Sequence, residues 1–173
     1  MNAPVNLTGT ARVLVVDDEP DLRTLYELTL LREGHQVESA GSLAEARALL
    51  AASTYDVVIT DMRLPDGLGL ELLRDMAAAQ RRERSIVITA YGSAENAVEA
   101  LKCGAFDYLT KPIDLKQFRG VVGAALQARM CAAEARRNRR AAPQPRPPHA
   151  IPTLPDRAST AYPQHTRPYT ART

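Results

Sequence analysis

Between residues 12 and 128, short β-branched runs alternate with longer stretches of helical apolar spacing. This alternation restricts the fold more than any other feature of the chain. Val13-Leu14-Val15-Val16, Val57-Val58-Ile59 and Ile86-Val87-Ile88 read as strands, and a weaker run spans Phe106 to Leu109. His35 to Ala40 alternates like an edge strand. Between them, Ser42-Leu43-Ala44-Glu45 has the form of a capping box, with Ser at the N-cap and Glu at N3. Leu115, Phe118, Val121, Val122, Ala125 and Leu126 lie on one helical face. Five strands alternating with five helices imply an α/β sandwich of three layers around a parallel sheet. The unbroken apolar character of the first, third and fourth strands implies burial on both sheet faces.

The charge divides the chain. Residues 1–128 carry 13 Lys and Arg against 18 Asp and Glu, a net of −5, whereas residues 129–173 carry 9 Arg against 2 acids, a net of +7. Residues 129–142 read as a basic extension of the last helix. Residues 143–173 hold 8 of the 12 prolines and almost no aliphatic side chains. Such a segment cannot bury enough apolar surface to offset its ordering entropy, so disorder is expected there, with polyproline character around Pro143 to Pro148. Residues 1–10 form a short extension without a signal peptide. No run is long enough to span a membrane, and a cytoplasmic protein is expected. Cys103 and Cys131 match no metal or disulfide spacing, and Cys103 reads as packing within an apolar helix pattern. His35, His149 and His165 have no partners at ligand spacing. Arg136, Arg137, Arg139 and Arg140 read as a solvated helix end. No groove-reading motif accompanies them, so DNA binding by this chain is not expected.

The polar residues are informative through their position. Asp17-Asp18 follow the first strand, Asp61 follows Val57 to Thr60, Thr89 ends the fourth strand, and Lys111-Pro112 follow the fifth. The carboxyl ends of strands in an open parallel sheet share one edge, where ligands bind. Any one of these residues could simply cap the next helix. Together they predict one cleft. Three crowded carboxylates suit a hard dication such as Mg²⁺. A carboxylate can attack phosphorus, and a lysine and a hydroxyl can hold phosphoryl oxygens. Neither a P-loop nor a G-x-G-x-x-G pattern is present.

The motifs VLVVDDEPDLR, DVVITDMRLPDGLGLELL, SIVITAYGSAENAV and LKCGAFDYLTKPID resemble the response-regulator receiver family over residues 11–128. That resemblance implies a (βα)₅ flavodoxin-like fold with spatial strand order 2-1-3-4-5. It implies Asp61 as phosphoacceptor from a sensor histidine kinase, Asp18 as a direct Mg²⁺ ligand, and Asp17 acting through water. The Arg63 backbone carbonyl completes the metal set. Thr89 and Tyr108 resemble the switch pair, Lys111 resembles the phosphate-binding lysine, and the Lys111–Pro112 bond is expected to be cis. No member of the family's residue set is missing. The partner-binding face would be the fourth helix, fifth strand and fifth helix, through which the resemblance admits a phosphorylation-dependent dimer. The wording is nearest to nitrogen-regulator and pilus-regulator receivers of sigma-54-dependent activators, yet no ATPase or DNA-binding domain follows. A stand-alone regulator, a truncated product and a frameshifted end remain open. The chain reads as a signalling switch with at most slow self-dephosphorylation. An aspartate-nucleophile phosphatase would want Asp where Arg63 stands. A receiver-shaped module that is never phosphorylated would have a broken acidic set.

Overall fold

The computed structural model describes residues 9–90 and 92–141. The expected disordered tail at 143–173 and most of the 1–10 extension lie outside the described residues. The strands of the main sheet are β1 (Arg12–Val16), β2 (Gln36–Ala40), β3 (Val57–Asp61), β4 (Arg84–Thr89) and β5 (Asp107–Thr110). The helices are α1 (Pro20–Arg32), α2 (Leu43–Ala52), α3 (Gly69–Ala78), α4 (Ala94–Lys102) and α5 (Leu115–Ala141). All sheet pairings are parallel, in the order β2-β1-β3-β4-β5, as expected. A two-residue antiparallel ribbon, Arg63–Leu64 with Gly67–Leu68, follows β3.

Side-chain alternation along the strands builds two cores. Val13, Val15, Ile59, Ile86 and Ile88 face α1 and α5, where Tyr26, Leu30, Phe118 and Val122 are buried. The Tyr26 and Phe118 rings stack with centroids 5.0 Å apart. Leu14, Val16 and Val58 face α2 and α3 through Leu43, Ala46, Leu50 and Leu72. Val87 meets Leu70, Leu73 and Ala100 on the same side of the sheet. Strands buried on both faces explain why β1, β3 and β4 carry continuous apolar runs. The edge strand β2 alternates because it is only partly covered.

Local chemistry sets the helix ends. Pro20 opens α1, where a missing N–H costs nothing. Gly34 closes it at φ +86°, a left-handed conformation that glycine adopts without strain. Ser42 Oγ accepts from Glu45 N at 3.2 Å, as the capping-box reading requires. The reciprocal half differs, because Glu45 Oε2 accepts from Gly41 N at 2.7 Å, one residue before the N-cap. Cys103 is the C-cap of α4 and packs partly buried against the Met62–Leu70 cluster, so it ends the helix rather than lying within it. α5 is one continuous helix, yet its buried positions end at Leu126. Among the described residues no helix is long and apolar enough to cross a membrane.

Candidate functional site

The carboxyl ends of β1, β3, β4 and β5 form one edge, and the predicted polar residues meet there. Asp61 is the last residue of β3 and is 8% exposed. Asp17 follows β1 and is buried, as is Thr89 at the end of β4. The backbone holds these ends together, since Asp17 N donates to Ala40 O and Met62 N to Ile88 O. Lys111 N donates to Thr89 O at 2.7 Å. The Lys111–Pro112 peptide is cis, as expected.

Lys111 Nζ is the centre of the cluster. It donates to Asp61 Oδ2 at 2.8 Å and to Glu19 Oε1 at 2.9 Å, and it lies 3.1 Å from Asp17 Oδ2. Burial opposes the lysine charge, but the hydrogen bonds to Asp61 and Glu19 and the adjacent Asp17 carboxylate outweigh it and hold its pKa above the ordinary lysine value. Burial pushes the Asp17 carboxyl up, against the pull of the Glu19 N–H and Lys111. The other Asp61 oxygen, Oδ1, accepts from Arg63 N at 3.1 Å. Arg23 donates to the Asp17 carbonyl at 2.8 Å and so braces the β1–α1 turn.

The carboxylate oxygens of Asp17, Glu19 and Asp61 all lie within 4.8 Å of one another. This all-oxygen set suits a hard divalent cation. Asp17 Oδ2 supports the fit, because it is buried and accepts no hydrogen bond despite its closeness to Lys111. Asp18 is exposed, and its carboxylate is outside this group, whereas Glu19 is inside it. Nothing in the local sequence marks Glu19, whose place in the cluster depends on its contact with Lys111, 92 residues away.

Thr89 and Tyr108 are also brought together. Tyr108 is half-buried against the Met62, Leu70 and Val87 cluster. Burial raises its phenol pKa, and a hydrogen bond with the Thr89 side chain works against that rise.

Two further residues shape the site without an obvious local signature. Gly69 begins α3 directly beneath Asp61, and its N–H donates to Met62 O at 2.9 Å. A Cβ there would overlap the Asp61 carbonyl oxygen and come within 2.8 Å of Thr60 Oγ1. Asp66, in the loop after Asp61, accepts from Leu43 N at 2.8 Å and Ala44 N at 2.9 Å. It thereby caps α2 and ties that helix to the Asp61 loop. These backbone bonds hold its carboxyl below the usual range.

Residues 13–122 match the family model described as the response regulator receiver domain. The chain is 49% identical over 123 residues to the response regulator protein PilR of Pseudomonas aeruginosa, covering 71% of this chain and 28% of that protein. It is 39% identical over 121 residues to the regulatory protein AtoC of Escherichia coli, covering 70% and 26%. The chain thus spans about a quarter of the length of the curated relatives it matches. A receiver domain protein from Methanospirillum hungatei superposes with TM-score 0.68 at 28% identity, covering 72% of this chain and 99% of that one. The beryllofluoride-activated NtrC4 receiver domain dimer gives 0.65 at 32% identity, covering 68% and 98%.

Proposed function

The chain belongs to the response regulator receiver family, and from that premise we propose that Asp61 takes a phosphoryl group from a phosphohistidine on a sensor histidine kinase. The family serves phosphorelay signalling as a switch rather than as a classical enzyme. The observation that carries the assignment is the buried Asp61 carboxylate at the end of β3, 2.8 Å from the Lys111 ammonium. One Asp61 oxygen attacks phosphorus in line. The P–N bond breaks, its electron pair leaves with the imidazole nitrogen, and an aspartyl phosphate forms. Lys111 shifts from the carboxylate to a phosphoryl oxygen, and the Thr89 hydroxyl donates to another.

Mg²⁺ bound by Asp17, Asp18, Asp61 and the Arg63 carbonyl would offset phosphoryl charge. Glu19 joins these as a candidate ligand because its carboxylate lies in the same oxygen cluster. Thr89 and Tyr108 form the switch pair. Withdrawal of the Thr89 hydroxyl toward phosphate breaks its bond with Tyr108 and biases the α4-β5-α5 face between two arrangements. That face would carry a phosphorylation-dependent dimer, a reading favoured by the dimer of the NtrC4 receiver. The setting is cytoplasmic, where kinase and acceptor meet.

Acetyl phosphate with Mg²⁺ should add one phosphoryl group, detected by intact mass. Asp61→Asn should not be modified, and modification of that variant at the wild-type rate would remove the assignment. In Mg²⁺ titrations, Asp18→Asn and Glu19→Gln separate the two flanking carboxylates. Unchanged affinity in Asp18→Asn would exclude it as a direct ligand.

A further inference from the structure

The opposite edge of the sheet, at the amino ends of the strands, is basic. A groove of about 950 Å³ opens there between the α3–β4 connection and the last turns of α5. Arg81, Arg82 and Arg84 line one wall, and five arginines between Arg129 and Arg140 line the other. Three of the eight are engaged by acids: Arg81 with Glu83 at 2.6 Å, Arg129 with Asp56 at 2.8 Å, and Arg137 near Glu134 at 3.9 Å. Among the described residues Arg82, Arg84, Arg136, Arg139 and Arg140 form no ion pair. In the sequence the helix arginines looked like a solvated end. The fold adds a second arginine run, some fifty residues earlier in the chain, to the same concave surface.

We propose that this groove binds the phosphate backbone of duplex nucleic acid without reading its sequence. Arg84 lies over the Phe106 ring at 5.9 Å and keeps its full positive charge. With Arg82, Arg136, Arg139 and Arg140 it makes five guanidinium groups that no acid neutralises among the described residues, and an anionic partner relieves their mutual repulsion. Every cation is Arg, whose planar fork matches phosphate oxygens in pairs. A protein partner would need a large apolar anchor at the centre of the contact. The groove offers only Ala132, Ala133 and Gly104 as non-polar lining beside its charged rim. A surface that is strongly positive and poor in apolar anchors has the character of protein–DNA interfaces. From Arg129 to Arg140 the helix rises about 16 Å, which spans roughly five base pairs of duplex. The groove and Asp61 are at opposite ends of the strands, so this reading stands independently of phosphoryl transfer.

The test is fluorescence anisotropy of a labelled random-sequence 25-base-pair duplex with the full 173-residue chain. Five phosphate contacts give a log–log salt slope of about −4.5, hence about 500-fold weaker binding at 200 mM than at 50 mM salt. Arg82→Gln/Arg84→Gln should lower the slope by about 1.8, and Arg136→Gln/Arg139→Gln/Arg140→Gln by about 2.7, with circular dichroism showing each variant folded at the assay temperature. If the first variant binds like wild type, the groove is not the site and the distal arginines act alone. Absence of salt-dependent binding overturns the proposal. So does equal affinity for poly-glutamate, or binding to phosphatidylglycerol vesicles without binding to DNA.

Discussion

Gly69→Ala sets two effects of opposite sign against each other. Alanine is favoured over glycine within a helix by at most about 1 kcal/mol. Against that, the new methyl would overlap the Asp61 carbonyl oxygen, a backbone atom that cannot rotate aside, and would crowd Thr60 Oγ1 at 2.8 Å. Overpacking of this kind costs about 1–3 kcal/mol. Retreat of α3 would also stretch the 2.9 Å bond from Gly69 N to Met62 O, worth about 1 kcal/mol net. The steric side wins by about 2 kcal/mol, which for a domain of this size lowers the thermal midpoint by about 6–10 °C. Because the displaced backbone belongs to Asp61, acetyl phosphate labelling should slow as well. Thermal denaturation followed by circular dichroism, paired with a labelling time course, reads both effects. A midpoint equal to or above wild type would refute the reasoning, since helix propensity would then have outweighed the contact.

Asp66→Asn should be less stable than wild type at pH 7. The folded Asp66 pKa is depressed by the Leu43 and Ala44 N–H groups, so its contribution is present above 3.8 and lost as pH falls below that value. The two denaturation midpoints should therefore converge in acid, and a constant gap across pH would contradict the carboxylate cap. Glu83→Gln should cost about 2 kcal/mol in urea unfolding, because the Glu83 side chain is 3% exposed and pairs with Arg81 at 2.6 Å. Arg81 in turn holds Leu50 O and Ser53 O at 2.7 and 2.8 Å. Phe118→Ala should cost about 3–5 kcal/mol, since the ring is fully buried against Tyr26, and a loss under 1 kcal/mol would deny α5 its role in the core.

The sequence by itself determined the elements and the edge on which the polar residues gather. Short β-branched runs that alternate with helical stretches read as inner strands of a parallel sheet covered on both faces. An aspartate directly after such a strand, as Asp61 is, must then stand at its carboxyl end. Asp17, Thr89 and Lys111 were legible for the same reason, because each position follows from counting along one strand. Tertiary structure decided what depends on neighbours distant in sequence. Glu19 became part of the oxygen cluster only when Lys111, 92 residues away, drew it in. Asp66 caps a helix that begins 23 residues before it. Gly69 matters because α3 starts against the Asp61 backbone, and local helical patterning carries no trace of that contact. The arginines of the α3–β4 connection and of α5 share a groove only because β4 and α5 are neighbours in space. Strand and helix periodicity is a property of adjacent residues and survives in the sequence, whereas contacts between elements are set by packing and exist only once the sheet has assembled.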